Sequence, residues 1–318
     1  MKKFTAIVLV LALALALCAC GSSSAAKKEF NVGICQLVQH EALDAATQGF
    51  IDALTEELGD AVKFDNQNAS GDIPTCATIC NGFAASKVDL ILANATPALQ
   101  AAVAATDSIP ILGTAITEYG VALDIENFSG VVGGNVSGTS DLAPLDQQAQ
   151  MIIDLFPDAK TVAILYCSAE ANSVYQAKVV KDALEANGLA VNICTFADSN
   201  DVASVTQAAC ADADVLYIPT DNTAASCAEA IGNIAEPAGI PIITGEEGPC
   251  KICGVATLTI NYYDLGKTTG KMAAKILKGE ANISEMDVEY FPNPVKKYNP
   301  DLAAKYNVSI PSDYVAIG

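Results

Sequence analysis

The chain contains no arginine, no tryptophan and a single histidine, His40, among its 318 residues. Without arginine, an anionic ligand group cannot be gripped by a bidentate guanidinium fork. It must rely on lysine, hydroxyls or main-chain N–H groups at helix starts. One histidine excludes His-rich metal centres and most hydrolytic triads. With no tryptophan, any indole emission from a sample comes from a bound molecule. Positive charge is scarce as well. The 17 basic residues, all lysine, face 37 acidic ones, and the net charge of −20 argues against nucleic acid and anionic lipid head groups as partners. After the N-terminal segment there is no run of about 18 apolar residues, so nothing further along reads as a membrane-spanning helix.

What stands at the start reads as an export signal. Lys2 and Lys3 precede an almost wholly apolar stretch from Phe4 to Cys18, which is short for a membrane span and has no stop-transfer pattern behind it. Leu17-Cys18-Ala19-Cys20 then fits the lipobox of bacterial lipoproteins, in which the cysteine becomes a lipidated N-terminus. The expected leader is residues 1–19, with Cys20 the lipidation site and residues 20–29 a small-residue tether. An ordinary signal peptide cut nearby is the competing reading. The remainder, about 300 residues, suits two domains.

Nine cysteines lie beyond Cys20, an odd number for a domain pair that does not need disulfides. Cys76 and Cys80 sit four apart on an expected helix. Cys250 and Cys253 have a spacing open to a redox pair or half a zinc site. The simpler reading is that they are small buried hydrophobes in an organism living without oxygen.

Strands and helices alternate along the chain. Phe30 to Cys35 reads as a strand, and Leu43, Ala46, Phe50, Ala53 and Leu54 mark one face of a helix that stops at Gly59. Val62 to Phe64 opens another strand, a helix lies between Asp72 and Ser86, and Val88 to Ala93 is an apolar run fit for a strand buried on both faces. Thr96-Pro97 opens a helix and residues 109–112 form a strand. The second half repeats the order: strand Thr161 to Tyr166, a helix with Ser173 and Gln176 as a capping box, strand Val191 to Phe196, a helix from about Asn200, strand Val215 to Pro219, a helix near Asn222, and strand 240–243. Gly254 to Ile260 and Asp264 to Lys278 add a strand and a helix. The expected architecture is α/β: two Rossmann-like lobes with parallel sheets and helices on both faces.

In open parallel sheets, ligands bind beyond the carboxyl ends of the strands, where helix N-termini point. The candidate segments are therefore Gln36 to His40, Asn94 to Pro97, Gly113 to Tyr119, Cys167 to Ser173, Thr220 to Thr223 and Gly245 to Glu247. Single Ser, Thr, Asn or Asp residues at helix starts serve as caps whether or not a ligand is near. Convergence of the set is what points to a site.

The same segments carry a family resemblance. Residues 32–44 (Val-Gly-Ile-Cys-Gln-Leu-Val-Gln-His-Glu-Ala-Leu-Asp), 89–97 (Asp-Leu-Ile-Leu-Ala-Asn-Ala-Thr-Pro), 166–173 (Tyr-Cys-Ser-Ala-Glu-Ala-Asn-Ser) and 217–223 (Tyr-Ile-Pro-Thr-Asp-Asn-Thr) resemble substrate-binding lipoproteins of tryptophan/tyrosine-type ABC transport systems. The match runs from about Asn31 to Gly279. It implies a periplasmic-binding-protein fold of type I. The N-terminal lobe would be residues 30–141 plus 258–287 and the C-terminal lobe residues 142–257 plus 288–318, closing on a ligand by hinge motion. One departure is that Thr117 is followed by Glu118-Tyr119, where the family often has Asp-Pro.

The resemblance implies a lipid-anchored, extracytoplasmic, monomeric receptor that serves membrane permease subunits, without catalysis, cofactor or metal. Its ligand would be an aromatic amino acid: tryptophan, tyrosine or phenylalanine. The carboxylate is placed at the helix after Thr96, near Thr114. For the ammonium, Asp221 is the first choice and Glu246 the second. Gln36, His40, Ser168, Asn172 and Asn222 would complete the hydrogen bonds, and Tyr119 and Tyr166 would wall the side chain. Competing readings are a branched-chain amino acid or nucleoside in the same fold, a thiol-redox protein using Cys250 and Cys253, and a sensor subunit serving a signalling partner.

Overall fold

The structure, a computed structural model, describes residues 29–291 and 293–318; the expected leader, Cys20 and most of the tether lie outside them. The chain begins with β1 (Phe30–Gln36), buried except at Asn31, and α1 (Glu41–Leu58). Gly59, at φ 58°, ends α1 in a positive-φ conformation that glycine adopts without strain. Then come β2 (Val62–Asn68), α2 (Ile73–Ser86), β3 (Leu90–Asn94), α3 (Thr96–Ala105), β4 (Ile111–Ile116), the short α4 (Tyr119–Ala122) and β5 (Val136–Ser140). The Asp72 side chain caps α2 by accepting from the Thr75 amide.

The second series is α5 (Leu145–Leu155), β6 (Thr161–Cys167), α6 (Ala171–Ala186), β7 (Ala190–Phe196), α7 (Val202–Ala211), β8 (Val215–Ile218), α8 (Asn222–Ser226), α9 (Ala228–Ala238), β9 (Ile242–Thr244), α10 (Glu247–Ile252) and β10 (Ala256–Thr259). The chain closes with α11 (Tyr262–Lys278), β11 (Glu289–Tyr290), β12 (Val295–Tyr298), α12 (Pro300–Lys305) and β13 (Val315–Ala316).

One sheet has the order β11-β5-β4-β3-β1-β2, the other β13-β12-β10-β9-β8-β6-β7. Every pairing is parallel except β12 against β10. Separate apolar clusters cover the two faces of each sheet, as doubly wound α/β lobes require. The chain passes between the sheets three times: from β5 to α5, from β10 to α11, and from β11 to β12.

α11 returns to the first lobe and lies against α1 almost backbone to backbone. A Cβ at Gly49 would overlap the Tyr263 carbonyl, and one at Gly266 the Ala46 carbonyl. Glycine is needed at both positions for the helices to approach this closely, and that approach anchors the second crossover.

One strand is unexpected, and one local expectation is corrected. Residues 136–140 (Val-Ser-Gly-Thr-Ser) form a fully buried strand that carries no apolar run. Its hydroxyls find partners inside the lobe: Ser137 donates to the Met286 carbonyl, Ser140 to the Thr117 carbonyl, and Thr139 exchanges with Thr269. Ser173 does not open a capping box. α6 already starts at Ala171, and the residue before it, Glu170, sends its carboxylate to a different helix.

Candidate ligand-binding site

The carboxyl ends of the two sets of strands face each other and place polar side chains in the space between the lobes. From the first lobe come the segments after β1, β3 and β5; from the second, those after β6, β8 and β9. Gly245, behind β9, lies so close to the Thr220 amide that a side chain there would collide with it.

Glu170 is the hub on the second-lobe side. It is 1% exposed, and its carboxylate accepts from the amides of Asn222 (3.1 Å) and Thr223 (2.9 Å), from Thr223 Oγ1 (2.8 Å) and from Asn222 Nδ2 (2.6 Å). Asn222 Oδ1 then meets His40 Nε2 of the first lobe at 3.2 Å. This contact and the nearby Lys251–Glu41 ion pair (3.8 Å) join the lobes.

Asp221 behaves as a cap. Its two oxygens accept from the Ala224 and Cys167 amides, each at 2.7 Å, so its carboxylate is fully engaged in the second lobe. Burial, and after it the Glu170 charge, pushes the Asp221 carboxyl up to about 7.

Glu246 is the opposite case. It is 1% exposed, and neither carboxylate oxygen has a partner. Burial, followed by the charges of Asp141, Asp221, Glu170 and Glu41, pushes it well above the usual carboxylate range. Asp141, on the first crossover, has the same character. Its Oδ2 accepts from the Tyr262 hydroxyl (3.0 Å), its Oδ1 is buried and unpartnered, and burial raises it to about 6. Tyr262 begins α11, so this hydrogen bond ties the first crossover to the second. Among the described residues no ion pair reaches Asp141, Glu170, Asp221 or Glu246. Buried acids without a counter-charge are costly, and a cationic group brought into this space would relieve the cost.

The start of α3 offers the opposite polarity. Ala95 precedes it at φ 91°, a conformation an L-residue adopts only under strain, and Thr96 and Pro97 are buried behind it. The first-turn amides have no carbonyl of their own helix to donate to.

The other expected site residues separate. Asn172 is with the cleft set: its Nδ2 donates to the Thr220 carbonyl (3.1 Å) and its Oδ1 is buried and unpartnered. Gln36 is saturated within the first lobe by Thr47, Asp44 and the Val38 carbonyl. The Thr114 hydroxyl lies in a buried threonine trio with Thr139 and Thr269 under α11, away from the start of α3. Tyr119 is fully buried in the first lobe, stacked on Phe128, with its hydroxyl on the Thr139 carbonyl. Tyr166 packs into the second-lobe core. Ser168 is exposed and donates to the Phe196 carbonyl.

Asp141, Glu170 and Tyr262 were missing from the expected set. Asp141 follows the unrecognised β5, so the rule about strand ends would have found it had that strand been seen. Glu170 lay inside a candidate segment but was not singled out. The redox reading of Cys250 and Cys253 fails on burial. The thiols are free and sealed inside the second lobe, where desolvation pushes Cys253 up to about 12 and Cys250 further.

Two doubly wound lobes, three crossovers and a polar cleft with unmatched carboxylates define a receptor of the type I periplasmic-binding-protein class. The profile of the family described as ABC transporter substrate binding protein matches residues 31–316, and the chain belongs to that family. It is 38% identical over 262 residues to a tyrosine-binding protein of Clostridioides difficile (strain R20291), covering 80% of this chain and 75% of that one. It is similar to a Streptococcus pneumoniae ABC domain solved with L-Trp, with 33% identity, a TM-score of 0.85, and 90% and 97% of the two chains covered. Against a ligand-free, open substrate-binding protein from Clostridium difficile the identity is 38% and the TM-score only 0.67, over 91% and 100% of the chains. The chain therefore superposes more closely on the L-Trp complex than on the open, ligand-free protein.

Proposed function

We propose that this protein is the solute receptor of an ABC importer for an aromatic amino acid, with the ligand's ammonium received by Glu246 and Asp141. The observation that carries this reading is Glu246, a sealed carboxylate with two unpartnered oxygens and no ion pair among the described residues. An ammonium offers three donors and the missing charge, and the Tyr262 hydroxyl and the free oxygen of Asn172 stand in the same cleft. The ligand's carboxylate would take the Thr96 and Ala98 amides at the start of α3, the available means in a chain without arginine. The aromatic class draws support from the tyrosine-binding relative and from the L-Trp complex. Asp221, capped on both oxygens, becomes a positioning residue in this reading.

The receptor would be monomeric and extracytoplasmic, held at the membrane through a lipid on Cys20 while its two lobes, joined by the three crossovers after β5, β10 and β11, present the loaded form to permease subunits. Release of a Cys20→Ser protein into the soluble fraction, with the parent retained in membranes, tests the anchor. For the ligand, melting curves with added L-tyrosine, L-tryptophan, L-phenylalanine, L-leucine and a nucleoside discriminate the classes. The expected result is stabilisation by at least one aromatic amino acid and none by leucine or the nucleoside. If no aromatic amino acid stabilises the protein, the reading fails.

A further inference from the structure

His40 carries a deduction that rests on the aromatic amino-acid reading. Glu170 accepts from the backbone amides of Asn222 and Thr223, groups that can only donate, so its oxygens act as acceptors. Asn222 must therefore turn its NH2 toward Glu170, at 2.6 Å, which leaves its Oδ1 facing His40. An amide oxygen only accepts, so His40 Nε2 carries the proton. The other ring nitrogen, Nδ1, is sealed from solvent without a partner. Burial lowers the proton affinity of the ring more than Asn222, Glu170 and Asp44 raise it, so the imidazole is neutral and Nδ1 is a bare acceptor. Asn222, which meets His40 across the lobes, also donates to Glu170, so the ring stands at the interlobe contact built on Glu170.

A buried acceptor with no donor is unfavourable until something supplies one. Among the described residues nothing does. We propose that His40 Nδ1 accepts a hydrogen bond from the N–H or O–H on the aromatic side chain of the ligand, making His40 a specificity-determining residue that favours tyrosine or tryptophan over phenylalanine. Rejection works through the orphaned acceptor: phenylalanine would close the cleft on His40 without satisfying it.

Titration calorimetry on tag-free protein with L-tyrosine, L-phenylalanine, L-tryptophan and 1-methyl-L-tryptophan tests this. The expected result is a preference of roughly tenfold to a hundredfold for at least one donor-bearing ligand over its donor-less counterpart. In His40→Phe, which removes the acceptor and keeps a ring, that preference should fall to within about threefold. A second readout needs no variant. His40 is the sole histidine, so protein labelled with 15N-histidine gives one imidazole signal pair, expected to report an Nε2-protonated neutral ring. Its Nδ1 resonance should move toward the hydrogen-bonded position with L-tyrosine or L-tryptophan and stay with L-phenylalanine. Equal binding of both pairs by the parent protein, an unchanged preference in His40→Phe, or a ring protonated on Nδ1 would each overturn the proposal. If none of the four ligands binds, the amino-acid reading falls and the proposal falls with it; discrimination lost among ligands that do bind removes the proposal alone.

Discussion

Glu246→Gln separates the charge of the proposed ammonium site from its shape. The amide has almost the same volume as the carboxyl group, so packing is preserved while the charge is lost. In the complex, a charge-assisted hydrogen bond is worth about 1.5–3 kcal/mol, which predicts a loss of roughly tenfold to 150-fold in ligand affinity. In the ligand-free protein the same change should leave the melting temperature equal or higher, because neither oxygen of Glu246 has a partner to lose. The pH dependence carries the same signature. A carboxyl group raised by burial holds a proton that the unfolded chain has already released. Its contribution to stability is complete below the unfolded value and disappears as pH rises through the folded one. Asp141, at about 6, and Asp221, at about 7, act with the same sign as Glu246, so ligand-free stability should decline from about pH 4 to about pH 7. An ammonium favours the ionised acids, so the complex holds fewer protons and affinity should rise with pH over that window. Calorimetry of the parent and the variant between about pH 5 and pH 7.5 reads both effects. Binding by Glu246→Gln within about threefold of the parent, or a flat pH profile in the parent, would refute the assignment.

Three further outcomes follow from the geometry. Asp221→Ala removes the cap of α8 and leaves the buried Cys167 amide without an acceptor, so urea unfolding should show a loss of about 2–4 kcal/mol. Gly266→Ala drives a methyl group into the Ala46 carbonyl across the α1–α11 contact and should cost about 1–3 kcal/mol in the same assay; an unchanged midpoint would mean the helices are further apart than described. In native protein near neutral pH, an alkylating reagent should reach half-buried Cys194 and Cys210 well before Cys250 or Cys253, all four reacting once the chain is unfolded; fast labelling of Cys250 would contradict its burial.

The lobes were legible because their strands are written in apolar residues: β3 and β8 read directly from runs such as Leu-Ile-Leu and Val-Leu-Tyr-Ile, and the strand–helix order repeats. β5 was not, because burial there is satisfied by hydroxyl pairs instead of apolar side chains, and such a segment has no periodic signal. That single omission hid Asp141. The choice between Asp221 and Glu246 also lay beyond the sequence. Both are acids behind a strand of the second lobe, but Asp221 is aimed at two amides and Glu246 at none, a difference of side-chain direction fixed only by the folded backbone. Thr114 and Tyr119 were placed in the site by adjacency to a strand end. The hydroxyl contacts of Thr114 with Thr139 and Thr269, and the approach of Tyr119 to Gly113 and Gly138, turn both inward instead.

These features bear on how a binding protein of this family couples loading to closure. Without ligand, Asp141 and Glu246 lie buried with unpartnered oxygens and no ion pair among the described residues, while the contacts that join the lobes are a neutral hydrogen bond at His40 and a half-exposed ion pair at Glu41. Such surface pairs contribute little, and the cost of desolvating the acids rises as they ionise. With the proposed ammonium in place the balance reverses, since one cation meets both carboxylates and the Tyr262–Asp141 bond links that contact to two of the three crossovers. The ligand's differential affinity for the closed state then resides at the crossovers themselves, which is what a population shift requires. An aromatic molecule lacking the amine would satisfy the walls and leave the acids unpaired, so it should bind without stabilising the closed form.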